Sequence, residues 1–451
     1  MAIAVFTFAL AYLLLIDGFY RRTTVVAFAA FFLLLTGVLT PGTAVRAIDW
    51  NVIGLFFGML VLADLFLASR MPAIIAGRIA RSARSVGGAI LGMCVLASVL
   101  SAVLENVAVV LILAPLALAL ARQLQTPAAP MLIGISLSSN LQGAATLVGD
   151  PPSMLLGSYA GLTFNDFFWL DGRPGIFFAV QAGALMSFVL LWVLFRHLRA
   201  PAREVPAERP QSLVPSILLV GVIVALVGAS FLFPHAPYAS AVIVLVGAAI
   251  GLLWHAAVNG SAHSVQASAT AESAKPLSRL AQRHITFRDR IGDSHRLLRA
   301  LDWETTGFLM GVFVLVGALA ESGAIVAFAE WFVIAADGST MRMYVALVLF
   351  SVALSAFIDN VPFTIAMLPV AGAFAARTGA DPMLFFGALL LGASVGGNIT
   401  PIGASANIVA CRWIEERAGE PMSFLRFARY GLPFTLVSVG AATVFWWFAW
   451  S

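Results

Sequence analysis

Fourteen apolar runs follow one another along this chain: residues 3–20, 23–40, 51–69, 86–104, 106–121, 130–160, 174–195, 213–233, 237–255, 305–321, 343–358, 361–376, 382–411 and 431–450. A helix rises about 1.5 Å per residue, so roughly 20 residues cross a hydrocarbon core about 30 Å thick. A soluble core built from 451 residues cannot hide that many such runs. The chain is 61% hydrophobic and 11% charged, where soluble domains carry about 25% charged residues. Lipid is the solvent these runs require, and in lipid a single run satisfies its own backbone only as a helix. One more stretch, 324–336, is apolar but short and ambiguous. The first run has no basic segment before it and no cleavage site after it, so it is expected to stay as a helix. Residues 256–300, rich in Ser, Ala, His and Arg, are the one long polar segment and are expected to be a partly disordered cytoplasmic linker.

The charge pattern excludes several function classes. The net charge is +4, from 26 basic and 22 acidic residues. The basic residues fall in short loops between runs rather than on one face, which marks topology and not nucleic-acid binding. Cys94 and Cys411 lie in or beside apolar stretches and form no disulfide framework, and the six His show no metal-ligand spacing. Neither HExxH nor GxSG occurs, and Val148-Gly149-Asp150 without a paired acidic motif is a weak protease signal. No enzyme and no cofactor are expected, beyond a coupling ion such as H⁺ or Na⁺.

An internal repeat then organises the runs. LSAVLENV (100–107) matches LSAFIDNV (354–361) at an offset of 254, and Thr146-x-x-Gly149 matches Thr400-x-x-Gly403 at that same offset. Upstream, Asp49-Trp50-x₃-Gly54-x₃-Gly58 matches Asp302-Trp303-x₃-Gly307-x₃-Gly311 at offset 253. Apolar helices resemble each other by composition, but not in Asp, Trp, Asn, Thr and Gly at fixed spacing.

Loop charges give the orientation. With Arg21 and Arg22 cytoplasmic the N-terminus is external, and Arg70, Arg78, Arg81 and Arg84 return inside if 86–121 is a re-entrant hairpin. Arg196, Arg199, Arg203, Arg412, Arg417, Arg426 and Arg429 also fall inside, leaving Arg46, Arg173, Arg342 and Arg377 outside. The first half then makes five crossings plus a hairpin, an odd number, so the second copy lies upside down. The predicted fold is an all-α polytopic membrane protein of two inverted repeats, each with a re-entrant hairpin (86–121, 343–376) and a broken transmembrane helix (130–160, 382–411). The first repeat spans 1–205, 206–255 holds the first two helices of the second, 256–300 is the linker, and 301–451 completes the second repeat. Such inversion places matching features near the midplane and supports alternating access.

The polar residues inside these runs carry the chemistry. An acid deep in an apolar run costs about 2.5–3.5 kcal/mol on insertion scales, yet Glu105-Asn106 and Asp359-Asn360 divide the two hairpins at equivalent places. Two hairpin tips, each presenting a carboxylate and an amide, are expected to meet. Glycines and prolines break the ladder in Gly143–Pro152 and in Gly396–Asn407. Unwound backbone at that depth lines a cavity or is buried in protein. The candidate ion- or solute-binding set is therefore Glu105, Asn106, Asn140, Thr146, Gly149, Asp150, Asp359, Asn360, Gly397, Asn398, Thr400, Gly403, Ser405 and Asn407. Ser153 adds a neutral oxygen, and Asp64 is a further buried acid with Gly317 at its mate's place. Glu321, Glu330 and Asp166 sit near run ends and are expected at interfaces.

At these motifs the chain resembles the ion-transporter superfamily of arsenite permeases, NhaD-type sodium/proton antiporters, the melanosomal P protein and citrate or dicarboxylate carriers. The specific segments are ENV and NLQGAATLVGDPP in the first half, then DNVPFT and GGNITPIGASANIV in the second, closest to the arsenite-permease and P-protein branch. The resemblance implies a scaffold domain, a mobile transport domain with two hairpins, frequent homodimers and elevator-like motion. It makes Glu105, Asn106, Asp359 and Asn360 hairpin-tip ligands and places Thr146, Gly149, Asp150, Asn398, Thr400 and Ser405 on the broken-helix loops. Two departures stand out: Glu105 where an Asp is usual, and Ser153 where an Asn usually follows DPP. The expectation is a proton- or sodium-coupled carrier in a bacterial inner membrane, exporting an arsenite- or antimonite-type solute. A sodium/proton antiporter is the alternative, ahead of a dicarboxylate carrier, and a passive channel stands outside that class.

Overall fold

The computed structural model describes residues 1–17, 21–83, 85–123, 125–198, 212–271, 303–335 and 338–451. Arg84, Arg199, Arg203, Asp302 and the expected linker beyond Ala271 lie outside them. The first half folds into α1 (Ala2–Asp17), α2 (Arg22–Leu35), α3 (Pro41–Ala47), α4 (Trp50–Ala68), α5 (Met71–Ser82), α6 (Val86–Ser101), α7 (Asn106–Gln123), α8 (Ala129–Gly143), α9 (Pro151–Ala160) and α10 (Ile176–Phe195). The second half gives α11 (Val214–Leu232), α12 (Ala239–Ala271), α13 (Trp303–Glu321), α14 (Ala324–Ala335) and α15 (Thr340–Ser355). It ends with α16 (Asn360–Thr378), α17 (Pro382–Gly396), α18 (Ser405–Ala418) and α19 (Phe424–Trp450). Among the described residues, eight helices are long and apolar enough to cross a membrane. Two-residue strands β1 (Trp169–Leu170) and β2 (Arg173–Pro174) pair antiparallel around Asp171-Gly172, both at positive φ as a tight hairpin turn requires.

Polar residues at run boundaries start the helices. The Asp49 carboxylate takes the Asn51 and Val52 amides at 3.0 and 3.1 Å, opening α4. Ser85 and Asp381 do the same for α6 and α17, each filling an N–H that a first helical turn leaves open.

Glycine spacing decides which helices touch. A Cβ on Gly307 would stand 2.9 Å from the Thr23 side chain, and one on Gly311 would stand 2.4 Å from that of Val26, so α2 lies close along α13. Gly54 and Gly58 open the same groove on α4 for Ala241 and Val244 of α12. The repeated Gly-x₃-Gly is thus a packing device that lets backbones approach. In both pairs the contacts advance together, so the partners run parallel. Between the copies direction reverses: Asn51 and Leu55, in the first turns of α4, face one cavity together with Phe313–Ala320 of α13, whereas Phe57, farther along α4, meets Trp303 at the start of α13 with ring centroids 5.1 Å apart. Helices α4 and α13, mates in the repeat, therefore run opposite ways, and the repeats are inverted.

Two segments differ from the sequence expectation. Residues 71–82, read as an Arg-rich inner loop, form helix α5, with Arg78 and Arg81 exposed. The short apolar stretch 324–336 is its mate α14, equal in length at 12 residues. Both turn sharply out of the preceding helix, with Arg70 (φ 59) and Gly323 (φ 75) at the same repeat position. Twelve helical residues span only about 18 Å, too short to cross a bilayer, and a scan for long apolar runs passes over them. Helix α12 also continues past 255 to Ala271, because polar side chains outside the lipid do not stop a helix that lacks a breaker.

Candidate functional site

Each hairpin tip is locked to its own broken helix by the same contacts. Ser101 Oγ lies 2.7 Å from Asn106 Oδ1 and 2.8 Å from the Ser139 carbonyl. Ser355 Oγ lies 2.7 Å from Asn360 Oδ1 and bonds the Ala393 carbonyl. Thr146 Oγ1 donates to the Ala102 carbonyl at the end of α6, and Thr400 Oγ1 to the Ala356 carbonyl at the end of α15. Every one of these residues has its mate 254 positions away. Glycine makes the closeness possible: a Cβ on Gly149 would stand 2.3 Å from the Gly143 carbonyl oxygen, and one on Gly403 would stand 2.6 Å from that of Gly397.

The tip carboxylates sit at the N-termini of the returning arms, where free amides and the helix dipole favour negative charge. Glu105 Oε2 takes the Ala108 amide at 3.1 Å and Asp359 Oδ1 the Val361 amide at 3.2 Å. The other Asp359 oxygen faces Arg22 at the start of α2, with Nη1 3.0 Å from Asp359 Oδ2 and 3.0 Å from Ser405 Oγ. Ser405 Oγ in turn donates to Asp359 Oδ2 at 3.1 Å, closing a triangle.

Where the two broken helices meet, asparagines bind them together. Asn140 Nδ2 donates to Asn398 Oδ1 (2.7 Å) and Asn407 Oδ1 (2.9 Å), and Asn398 Nδ2 donates to the Leu137 carbonyl (3.1 Å). Asn407 Nδ2 bonds the Gly397 and Thr400 carbonyls at 2.9 and 3.0 Å, closing its own break. In the first copy Ser153 stands at the Asn407 position, and Asp150 Oδ1 takes its amide (3.0 Å) and hydroxyl (2.6 Å). Asp150 Oδ2 and Asn140 Oδ1 are buried outside hydrogen-bond geometry with any donor, and the Ser394 hydroxyl, at the Asn140 position of the second copy, stands beside Asp150 and also makes no bond.

One cavity of about 80 Å³ gathers seven of the fourteen sequence-derived candidates: Glu105, Asn106, Asn140, Asp150, Asp359, Asn360 and Ser405. The remaining seven, Thr146, Gly149, Gly397, Asn398, Thr400, Gly403 and Asn407, do not line it; they hold the frame that shapes it. Their polar groups are spent on backbone carbonyls and on one another. Asp64 lies half-buried in α4, away from this cavity. Sequence reasoning missed Arg22 and Glu304, which also line it. Arg22 reads as a loop charge because its partner Asp359 is 337 residues away, and no local signal marks it.

The cavity is not midway along the scaffold helices. It meets α13 at Glu304–Leu309, in the first two turns, while a second cavity of about 750 Å³ meets the same helix at Phe313–Ala320. The two are related by the repeat: Glu304 and Phe308 line one, and their mates Asn51 and Leu55 line the other. The elements between them are not placed symmetrically. Both hairpin tips reach the smaller cavity, whereas the larger is lined by Ile365 and Pro369 of α16 and by the end of α9. Symmetry of sequence predicts tips at the centre, but one conformation sits to one side.

Inverted repeats, paired hairpins and broken helices around one polar cavity define a membrane transporter. The profile of the citrate transporter family, CitMHS, matches residues 11–262 and 285–451, and the chain belongs to that family. It is 30% identical to an uncharacterized transporter of Mycobacterium tuberculosis over 99% of this chain and 97% of that one. An uncharacterized transporter of Synechocystis sp. is 29% identical over 96% and 94%. The human P protein is 28% identical over 87% of this chain and 53% of its own length. Among solved structures, the YdaH transporter of Alcanivorax borkumensis, described as having an unusual topology, shares the fold at TM-score 0.55 and 16% identity, over 92% of this chain and 87% of that one.

Proposed function

We propose that this chain is a proton- or sodium-coupled secondary active transporter that exports a small oxyacid of the arsenite or antimonite type. The size and charge of the site carry the reading. About 80 Å³ is lined by four carboxylates (Glu105, Asp150, Glu304, Asp359) and one guanidinium, that of Arg22. The other cavity, by the same measure, offers about 750 Å³, so the space at the tips favours a compact solute over a bulky one. Like charges 4 Å apart repel by about 4 kcal/mol at an effective dielectric of 20. A neutral hydroxylated solute or a cation is therefore admitted more readily than a bare multivalent anion. Asp150 Oδ2 and Asn140 Oδ1, buried without a formed hydrogen bond and with the Ser394 hydroxyl beside Asp150, are the oxygens we assign to the coupling ion, since a proton or sodium there relieves their desolvation.

Two repeat-related cavities, with the tips at only one, support alternating access by an elevator-like shift of the hairpin and broken-helix unit along α2–α13 and α4–α12. With Arg21 and Arg22 cytoplasmic, the smaller cavity faces the cytoplasm of a bacterial inner membrane, the side from which an exporter loads.

The family description favours a second reading, citrate. A tricarboxylate would need bound cations to offset the carboxylates that line the cavity. Proteoliposomes with an imposed sodium or proton gradient separate the readings. Uphill movement of arsenite or antimonite, lost in Asp359→Asn, is expected. Sodium–proton exchange without arsenite movement would make the chain an antiporter, and gradient-driven citrate uptake alone would make it a citrate carrier. Passive equilibration insensitive to both gradients would make it a channel.

A further inference from the structure

Among the described residues, Arg22 is the one basic residue lining the carboxylate-rich cavity, and the duplication did not supply it. Thr23 and Val26 of α2 pack on Gly307 and Gly311 as Ala241 and Val244 of α12 pack on Gly54 and Gly58. One step back along each helix, the mate of Arg22 is Ser240, which lines the larger cavity. The guanidinium therefore breaks the symmetry of the scaffold. It also joins two parts of the molecule that the proposed motion separates, because α2 packs along α13 while Asp359 caps α16 at a hairpin tip and Ser405 opens α18.

We propose that Arg22 is a built-in stand-in cation: it occupies Asp359 and Ser405 in the unloaded carrier and latches the second hairpin tip to α2 until an entering cation displaces it. The displacement rests on the cation-coupled reading above; the latch itself rests only on the geometry. A guanidinium suits the task, since its fixed fork reaches a carboxylate and a hydroxyl at once. Relative exposures of 37% for the Arg22 side chain and 22% for Asp359 keep the pair weak enough to exchange, because a partly solvated ion pair is screened. A small cation at Asp359 frees both the tip and the guanidinium. The unloaded carrier is held facing the Arg22 side, which suppresses empty movement.

The test uses the full chain in proteoliposomes, with Cys94 and Cys411 replaced by Ser and Val361, which lines the cavity, replaced by Cys. The rate of modification by a cationic thiosulfonate reports how open the tip is. Arg22→Ala is expected to speed labelling roughly three- to fivefold, the scale of a partly exposed ion pair. Added guanidinium ion, which fills the vacated place, returns the rate to that of the parent, and Arg22→Lys lies between. In the parent, sodium or lithium speeds labelling; in Arg22→Ala, neither has a further effect. Unchanged labelling in Arg22→Ala, or sodium acting equally in both proteins, overturns the latch. Faster labelling with guanidinium rescue, but no parent response to sodium, lithium or acidification, leaves the latch standing and sinks the cation-coupled reading.

Discussion

The two broken helices have one backbone design and two chemistries. In the second, Asn407 closes the break with a neutral amide that bonds the Gly397 and Thr400 carbonyls and accepts from Asn140. In the first, Ser153 is too short for that work, though its hydroxyl lies 3.3 Å from the equivalent Gly143 carbonyl. Asp150, standing where the second copy has Ala404, caps α9 with one oxygen and leaves the other unpartnered at the cavity. Duplication thus kept the geometry in both copies and let one break become a satisfied joint while the other retained an ionisable group. The second broken helix keeps an unbonded hydroxyl too, that of Ser394, beside Asp150, so what sets the first break apart is an oxygen that can ionise.

Several measurements would break or sharpen this contrast. The largest effect is functional: Asp150→Asn keeps an oxygen to cap Ser153 and abolishes gradient-driven transport, while unfolding stability in detergent moves by less than about 1 kcal/mol. Transport that survives this change would remove the distinction between the breaks. Asn407→Ala strands two carbonyls and the Ser136 hydroxyl and takes one of the two acceptors of the Asn140 amide, each stranded group costing about 1–3 kcal/mol when buried. Its loss of stability, read by thermal unfolding, is expected at roughly 3 kcal/mol or more. Gly149→Ala forces a methyl against the Gly143 carbonyl and is expected to cost about 1–3 kcal/mol, more than Gly403→Ala, whose Cβ has 0.3 Å more room. The smallest effects test equivalence. Thr146→Val removes one hydroxyl bond to a hairpin carbonyl, for about 1 kcal/mol; Thr400→Val removes the equivalent bond and also the acceptor of the Gly403 amide, so it is expected to cost about 1 kcal/mol more. Equal losses would mean that the Gly403 bond contributes nothing to the second break.

Much of this was legible beforehand because lipid imposes its rules along the chain. Long apolar runs, repeat offsets of 253 and 254, and acids or breakers at matched places do not depend on folding to be read. Glu105, Asp359 and Asp150 were visible as costs that an apolar run does not carry without reason, and all three line the cavity. Thr146, Thr400, Asn398 and Asn407 were visible by the same rule, but the rule detects only that a buried polar group needs a partner. It does not say whether that partner is a solute or a carbonyl three turns away.

By itself the sequence determined an α-helical membrane protein of two inverted copies, with two hairpins and two broken helices that hold 17 of the 25 buried polar residues among those described. Only the tertiary structure decided which seven candidates face the cavity, that Arg22 and Glu304 join them, that α5 and α14 are helices, and that the tips lie toward one end of the scaffold. The reason is physical. Hydropathy and backbone breaks are local costs written at each position, whereas ion pairing, cavity shape and the choice between two symmetric positions depend on distances between segments that the linear order does not contain.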